Sequence, residues 1–381
     1  MIEFSSHDQA LRVEEISTDS GFMRLRDSWN CLADRVAGHV FLRHEWFSAA
    51  WAWRKNDAAL WIVCVFSDDR LVGALPLVRL RHIQSGSRVL EFLCVPDSQW
   101  CDVLIDPDAG PSVGHALVHH IVAKSPLWDV LRLERLAANS QVQNWLIPAL
   151  VARGLAAQLE PVARNLFVDL KLPWEGYHRS LSRSIKKTRN LAANRLARAG
   201  TAHTQWITST TVDPQQSQSW IDEVVSVSAQ SWKRTTGNSL DQSAPQAFIR
   251  TLTETAIKAN WLSVWFLRLD GIAVAMEYQL IFKGRVYALR ADFDNSLRNM
   301  SPGTYLNYCM LEELFTKELD RYYMGPGNNP YKARWTGHGD KVYTMTSYAP
   351  TIRGRASSLW SETKLRLREL RDRRLVTARA E

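Results

Sequence analysis

The sequence predicts an α/β (α+β) fold and suggests two copies of one unit, in which two helices precede a β-hairpin and a sheet; two unrelated hairpins are the alternative. The first observation is an internal similarity: an apolar strand, an Asp-containing turn and a second apolar strand occupy residues 60–77 and again 261–278. The second is the helical spacing of apolar residues before each hairpin. The third is the length of 381 residues, which suits two domains. Each half is therefore expected to carry its own sheet flanked by helices.

Composition narrows the classes of protein. Hydrophobic residues make up 46% and charged residues 23%, which excludes a disordered or fibrous chain. The net charge of +8 favours anionic partners such as a nucleotide cofactor, a nucleic acid or an acidic surface. Five cysteines without a CxxC pair favour a reducing cytoplasm. No signal peptide is predicted, and the longest apolar run, residues 60–66, is far shorter than the roughly 20 residues of a membrane span.

The elements of the first half follow from spacing and turn residues. Trp29, Leu32 and Val36 recur at helical intervals, and Pro111 suits the start of a helix. The predicted helices are 11–54, 111–124 and 141–153, and the predicted strands are 60–66, 71–80, 88–95, 130–136 and 163–170.

A basic amphipathic helix is predicted over residues 178–198, after Leu172-Pro173-Trp174 breaks the preceding strand and before Gly200. It carries no acid, and its cations are Arg179, Arg183, Lys186, Lys187, Arg189, Arg195 and Arg198. A solvated cationic face, a phosphate or RNA site and a surface for an acidic partner are all compatible with this pattern.

The second half repeats the order of the first and ends in another basic helix. The predicted helices are 214–233, 244–259, 304–317 and 353–374, and the predicted strands are 204–208, 261–269, 272–281, 285–293, 321–324 and 341–348. The predicted organisation is an N-terminal unit (1–172), a basic connecting helix (173–200), a C-terminal unit with the site (201–350) and a basic C-terminal helix (351–381).

Three local patterns are candidates for chemistry. Ser301-Pro302-Gly303 stands where a strand meets a helix, so backbone N–H groups and the helix dipole could hold a phosphate there, with Arg298 adding charge; a plain helix N-cap is the alternative. The loop 325–335 contains Gly and Pro pairs followed by Tyr331, Lys332 and Trp335. It is either a reactive loop or a structural turn.

The third pattern is a set of acids, Glu277, Asp292 and Asp294, on adjacent strands. Glu277 lies inside an apolar strand, where an unpaired carboxylate is costly, so it is a candidate general base. Arg290 shares a strand face with Asp292 and could simply form a structural ion pair.

Other chemistries lack their signatures. His115, His119 and His120 lie on one predicted helix, but without an HExxH context or a nearby Cys pair they only weakly indicate a metal. The sequence contains no GxSxG, P-loop or GxGxxG motif, so hydrolase, ATPase and dinucleotide-oxidoreductase functions lose their main support.

Taken in order, these motifs resemble the GNAT-superfamily acetyltransferases, and within them the branch associated with cellulose and exopolysaccharide biosynthesis, which is related to the Fem-type peptidoglycan aminoacyltransferases. The residues that carry the resemblance are Gly271, Glu277-Tyr278, 287–294, Ser301-Pro302-Gly303, Gly325-Pro326-Gly327, Tyr331-Lys332 and Trp335. The sequence departs from the branch at Tyr322-Tyr323-Met324, where an acid is common, and at Asn328 and Asn329, which replace loop acids.

The resemblance implies two tandem GNAT-like units, each a mixed, mostly antiparallel sheet flanked by helices. It also implies transfer from acyl-CoA, with no tightly bound cofactor and no covalent enzyme intermediate. It implies a donor loop with Arg298, Ser301, Gly303 and Thr304 around the pyrophosphate, and an acceptor that is a small molecule or saccharide. Glu277 or Asp292 is the expected base, and Tyr331 and Lys332 are expected to polarise the carbonyl or protonate the thiolate. Arg290, Asn328 and Trp335 are the expected substrate-binding residues.

Two alternatives remain open at this point. The positive charge and the basic helix are compatible with a Fem-like transferase that uses aminoacyl-tRNA. The missing loop acids are compatible with a non-catalytic module of a polysaccharide-synthesis complex. The acceptor, the acyl chain length and the oligomeric state do not follow from the sequence.

Overall fold

A computed structural model describes residues 11–36, 38–83, 85–212, 217–327, 329–360 and 363. In this part of the chain, thirteen strands form one continuous sheet with helices on both faces. The strands are β1 (Leu11–Ile16), β2 (Ala59–Ser67), β3 (Arg70–Arg81), β4 (Arg88–Phe92), β5 (Leu104–Ile105), β6 (Val130–Ala137), β7 (Ala157–Asp169), β8 (Ala202–Thr208), β9 (Leu262–Leu269), β10 (Ile272–Phe282), β11 (Arg285–Phe293), β12 (Arg321–Pro326) and β13 (Gly339–Tyr348).

The same residues form eleven α-helices. They are α1 (Asp19–Arg24), α2 (Arg26–Val36), α3 (His44–Arg54), α4 (Gly110–Ala123), α5 (Ile147–Ala152), α6 (Trp174–Ser180), α7 (Arg183–Ala199), α8 (Ser217–Ala229), α9 (Ser243–Lys258), α10 (Pro302–Leu314) and α11 (Pro330–Ala333). Every helix in the described ranges is too short or too polar to span a bilayer.

The strand pairing is the same in the two halves. In the first half β1, β2, β3 and β4 pair antiparallel in sequence, and β4 then pairs parallel with β6. In the second half β8, β9, β10 and β11 pair antiparallel in the same sequence, and β11 pairs parallel with β12. The predicted fold class, two mixed and mostly antiparallel units flanked by helices, is confirmed.

The closing strand of each half pairs with the other half. β7, at the end of the first half, lies between β12 and β13, and β13, at the end of the second half, lies between β6 and β7. The sheet therefore runs unbroken in the order β1-β2-β3-β4-β6-β13-β7-β12-β11-β10-β9-β8, with β5 joined to β3.

An apolar cluster spans both halves. Trp46 of α3 packs edge-on against Phe248 of α9 with ring centroids 5.4 Å apart, and Phe41 packs in the same way against Tyr287 of β11 at 5.1 Å. All four side chains are buried. Because aromatic side chains bury large apolar areas, this contact fixes the first half against the strand that carries the candidate site.

Two predicted elements were wrong in detail. Residues 11–16 form strand β1 and are not helical, because the alternating sequence LRVEEI pairs along the whole of its length with β2. The single basic helix is interrupted at Leu181-Ser182, where the Ser182 hydroxyl accepts from the Ile185 N–H and begins α7. Of the predicted C-terminal basic helix, residues 353–360 are helical, and most of the remainder lies outside the described residues.

Candidate functional site

The two parallel strands of the second half separate after a short pairing. β11 and β12 pair only at 285–287 with 321–323, and the opening beyond them holds a cavity of about 550 Å³. The start of α10 and the short helix α11 close its sides. Gly325, in β12, has a φ of +82°, a conformation that glycine adopts without strain, as the strand leaves the sheet.

The structure brings most of the predicted site residues into this cavity. Those that line it are Glu277, Arg290, Asp292, Arg298, Ser301, Gly303, Thr304, Tyr331 and Lys332. Trp335 does not: it lines a separate cavity of about 530 Å³ beside α6, and its carbonyl accepts from the Tyr177 hydroxyl. Asn328 lies outside the described residues, whereas Asn329 lines the main cavity. Asp294 instead caps the turn at Asn295–Met300 by accepting from the Ser296 N–H.

The predicted phosphate loop lies at the mouth of the cavity. Ser301 adopts the left-handed conformation (φ +56°) and directly precedes Pro302, the first residue of α10. A Cβ on Gly303 would lie 3.3 Å from the Phe293 ring, so the helix start is packed closely against β11. Arg298 is exposed beside it, and the Arg195 guanidinium of α7 donates to the Asn299 carbonyl. Positive charge therefore surrounds the positive end of the α10 dipole.

Glu277 is a fully buried carboxylate with three side-chain donors. It accepts from Gln279 Nε2 at 2.8 Å, from Asn307 Nδ2 at 2.5 Å and from the Tyr322 hydroxyl at 2.5 Å. Burial raises its pKa, although the three donors act in the opposite direction. Burial and the neighbouring Glu277 also hold the pKa of Tyr322 far above its usual range.

Asp292 is bound differently. Its oxygens accept from Ser228 and Ser231, each at 3.0 Å, and pair with Lys233 Nζ at 2.9 Å. Lys233 also donates to the Ala291 carbonyl at 2.8 Å. Asp292 thus fastens the segment after α8 to β11.

Arg290 pairs with a carboxylate from the other half of the chain, not with Asp292. Its Nε donates to Asp97 Oδ2 at 2.8 Å, and its two terminal nitrogens donate to Asn238. The next residue but one after Asp97, Gln99, donates to the Ala288 carbonyl at 2.8 Å. The first half therefore forms part of the cavity surroundings.

Lys332 and Tyr331 project from α11. Lys332 Nζ donates to the Gly325 carbonyl at 2.9 Å and to the Pro326 carbonyl at 3.4 Å. Burial, together with the cations Lys233 and Arg135, lowers the pKa of Lys332 to about 8. Burial raises the pKa of Tyr331, and the charge of Glu277 adds to this effect.

Several residues of the site were not predicted. Tyr322, Asn307 and Gln279 hold Glu277, and Trp232 and Lys233 line the far wall of the cavity. Asn307 and Gln279 are polar residues within apolar elements, the same signal that identified Glu277. The histidine pattern leads elsewhere: His120 pairs with Glu15, and the described residues contain no group of three or more His, Cys, Asp or Glu placed to hold a metal.

Comparison with known proteins agrees with this arrangement. Residues 185–333 match the family model of the acetyltransferase (GNAT) domain. The structure resembles that of FemX (10% identity, TM-score 0.55, covering 91% of this chain and 99% of FemX). It also resembles a conserved protein of unknown function from Bacteroides thetaiotaomicron (12% identity, TM-score 0.53, covering 89% and 100%). At these identities the likeness shows the fold.

A search of curated proteins gives no match. The matched segment begins within α7 and ends with α11, and it contains all nine predicted residues that line the cavity. Residues 185–333 are therefore similar to the GNAT acetyltransferase domain, and the candidate cavity lies within this matched segment.

Proposed function

We propose that the chain is an acyltransferase that moves an acyl group from acyl-CoA to an amine or hydroxyl of a small molecule or saccharide, by direct attack. The observation that carries the proposal is the cavity between β11 and β12, which opens at the start of α10 inside the segment that matches the GNAT domain. A link to exopolysaccharide biosynthesis, supported by the sequence motifs, and a cytoplasmic location, supported by the cysteine pattern, belong to the same proposal.

The donor is assigned to the α10 end of the cavity. A pyrophosphate there meets the backbone N–H groups and dipole of a thirteen-residue helix, with Ser301, Gly303 and Thr304 beside it and Arg298 at the mouth. The thioester would then extend between the separated strands.

The transfer needs a proton acceptor for the attacking group and a donor for the leaving thiolate. We assign Glu277 as the base, because its pKa is raised and its donors are neutral side chains. Asp292 is fully buried against Lys233 and is assigned to positioning. Lys332 and Tyr331 are assigned to polarising the carbonyl or protonating the thiolate.

Calorimetry with acetyl-CoA and longer acyl-CoA tests the donor site. Micromolar binding is expected. Ser301→Trp, whose side chain fills the loop, should weaken it at least tenfold. Ser301→Asp should do the same, because its charge repels phosphate, and aspartate tolerates the left-handed backbone conformation of this position. Ser184→Trp and Ser184→Asp, on the exposed surface of α7, are the matched controls and should bind as the wild type does. Failure of the wild type to bind any acyl-CoA would overturn the proposal.

A second candidate is a transferase that takes its acyl group from aminoacyl-tRNA. The observation that favours it is the exposed cationic surface of α7, with Arg183, Lys187 and Arg198, next to the cavity mouth at Arg195. RNA binding of this kind weakens steeply with salt. A salt-sensitive gel shift with tRNA, lost in Arg183→Ala/Lys187→Ala, would favour this candidate, and no shift at low salt would remove it.

A further inference from the structure

Trp232 is an unusual tryptophan for this chain. Among the described tryptophans, only Trp232 and Trp360 have more than half of their surface exposed, and Trp232 also lines the main cavity. An exposed indole gives up the apolar burial that the other tryptophans gain. Its place at the cavity wall leaves the indole accessible to a ligand in the cavity.

The backbone beneath Trp232 is anchored on both sides. Ser231 caps the short helix Trp232–Thr236 by accepting from the Lys233 N–H at 3.0 Å, and its hydroxyl donates to Asp292 at 3.0 Å. Lys233 reaches the same carboxylate and the Ala291 carbonyl. The indole is therefore presented on a fixed base, which lowers the entropy lost when a ligand stacks on it.

Trp232 lies on the opposite side of the sheet from the phosphate loop. On β11, Arg290 and Asp292 bond to Asn238 and to Ser228, which belong to the α8–α9 layer. Phe293 instead packs against Gly303 of α10. Because successive strand residues point to opposite faces, the segment held by Asp292 faces away from the donor loop. If the donor occupies the α10 side, Trp232 belongs to the acceptor.

We propose that Trp232 is the stacking platform of the acceptor site and that the acceptor is a saccharide, bound by one face of its pyranose ring. This inference rests on the proposed function, which places the donor on the other side of the sheet. A pyranose presents a flat apolar face of C–H groups that matches an indole, together with a rim of hydroxyl groups. Lys233, which lines the same wall and whose side chain is 22% exposed, supplies a polar group for that rim. A flexible aliphatic amine has no face to match the indole.

The test compares amino sugars with their ring-opened counterparts. Glucosamine and galactosamine are each titrated by calorimetry against the corresponding amino alditol, and then assayed as acceptors with acetyl-CoA. Wild type should bind at least one pyranose more tightly than its alditol. Trp232→Ala should raise the Kd and KM of that pyranose at least tenfold and leave those of the alditol within twofold, and Trp232→Phe should restore part of the loss. Trp360→Ala, an equally exposed tryptophan outside the cavity, is the matched control.

The possible failures are distinguishable. If acetyl-CoA binds but Trp232→Ala leaves the pyranose constants unchanged, or if the alditols bind as well as the rings, the inference is overturned and the acyltransferase proposal stands. If Trp232→Ala weakens acetyl-CoA instead, Trp232 belongs to the donor and the inference is overturned. If no acyl-CoA binds to the wild type, the proposed function itself fails, and saccharide titration alone then shows whether Trp232 still stacks a ring.

Discussion

At the scale of single residues, the site places two titratable groups in environments that move their pKa values towards neutrality. Burial raises the pKa of Glu277, and burial beside other cations lowers the pKa of Lys332 to about 8. A base works in its deprotonated form and an acid in its protonated form, so the proposed roles of Glu277 and Lys332 are both available at a pH above the raised pKa of Glu277 and below about 8. Tyr322, bonded to Glu277 at 2.5 Å, keeps its proton throughout this range.

The pH dependence of kcat/KM is expected to be bell-shaped. Activity should fall as the pH decreases through the raised pKa of Glu277, and fall again as the pH rises through about 8, where Lys332 loses its proton. Glu277→Gln should remove the acidic limb and lower kcat by about 10²-fold or more. Lys332→Arg should move the alkaline limb upwards, because guanidinium does not titrate in this range.

The Asp292→Asn variant tests whether Glu277, and not Asp292, is the base. It should lower activity without moving the acidic limb, since Asp292 is paired with Lys233. An acidic limb that disappears in Asp292→Asn but persists in Glu277→Gln would reverse the two assignments.

The difference between Glu277 and Arg290 shows how far residues can be interpreted from the sequence. A carboxylate inside an apolar strand needs partners wherever the strand folds, so Glu277 could be identified without a structure. The partner of Arg290 could not, because Asp97 lies 193 residues away and is brought near only by the packing of the two halves. A short-range pattern instead suggested Asp292, two residues along the same strand.

At the scale of elements, the two halves differ at the start of the helix that follows their fourth antiparallel strand, and in the loop before it. After β4 the chain leaves the sheet, and residues 93–103 extend towards the second half, where Asp97 and Gln99 reach β11. Arg135, in the left-handed conformation (φ +62°), donates to the carbonyls of Ser98 and Pro96 and holds this loop. In the first half the start of α4 is covered, because a Cβ on Gly110 would lie 2.7 Å from the Trp145 ring. A loop of the first half thus forms part of the surroundings of the cavity in the second half.

The contribution of this loop can be measured with Asp97→Asn. The change keeps a hydrogen-bond acceptor but leaves the buried Arg290 without its counter-charge, so it should destabilise the fold by about 3 kcal/mol. It should also lower kcat/KM about tenfold while acetyl-CoA binds within twofold of wild type. Urea denaturation of Asp97→Asn, Arg290→Gln and the double variant should give a coupling energy of about 1 kcal/mol or more.

Asp129→Asn is the matched control, since Asp129 is a buried carboxylate paired with the half-buried Arg88 away from the cavity. It should cost stability and leave kcat/KM unchanged. Equal kinetic effects of the two variants would mean that Asp97 acts only through general stability.

Helices and strands could be predicted where the sequence pattern that determines them lies within the element itself or in the adjoining turn. The hairpins and the helix start at Pro302 follow from turn residues and apolar runs. β1 was missed because its helical neighbours extended the apparent periodicity over residues 11–54, whereas pairing with β2 decides its structure. The exchange of β7 and β13 between the halves has no local signal at all, since both strands have ordinary sequences and only their partners differ.

At the scale of the whole molecule, the exchange makes the two halves one sheet. β7 forms hydrogen bonds to β12 and β13, and β13 forms hydrogen bonds to β6, so removing either half leaves a central strand without partners. The aromatic contacts of α3 with α9 add a shared core. An unpaired strand edge and an exposed aromatic core both disfavour a state in which one half is folded alone.

The whole chain should therefore unfold in one transition despite its internal repeat. Leu133→Ala in β6 and Leu311→Ala in α10, both fully buried, should each destabilise their own half by about 3 kcal/mol. If the halves are coupled, each variant lowers the urea midpoint by the same amount whether hydrogen exchange is followed at β3 amides or at β10 amides. The unfolding curves measured by fluorescence and by circular dichroism then coincide. If they are independent, Leu311→Ala moves only the β10 signal and a second transition separates. That outcome would show that the exchanged strands and the shared core do not couple the halves, and that the wall around Arg290 is assembled from two independently folded units.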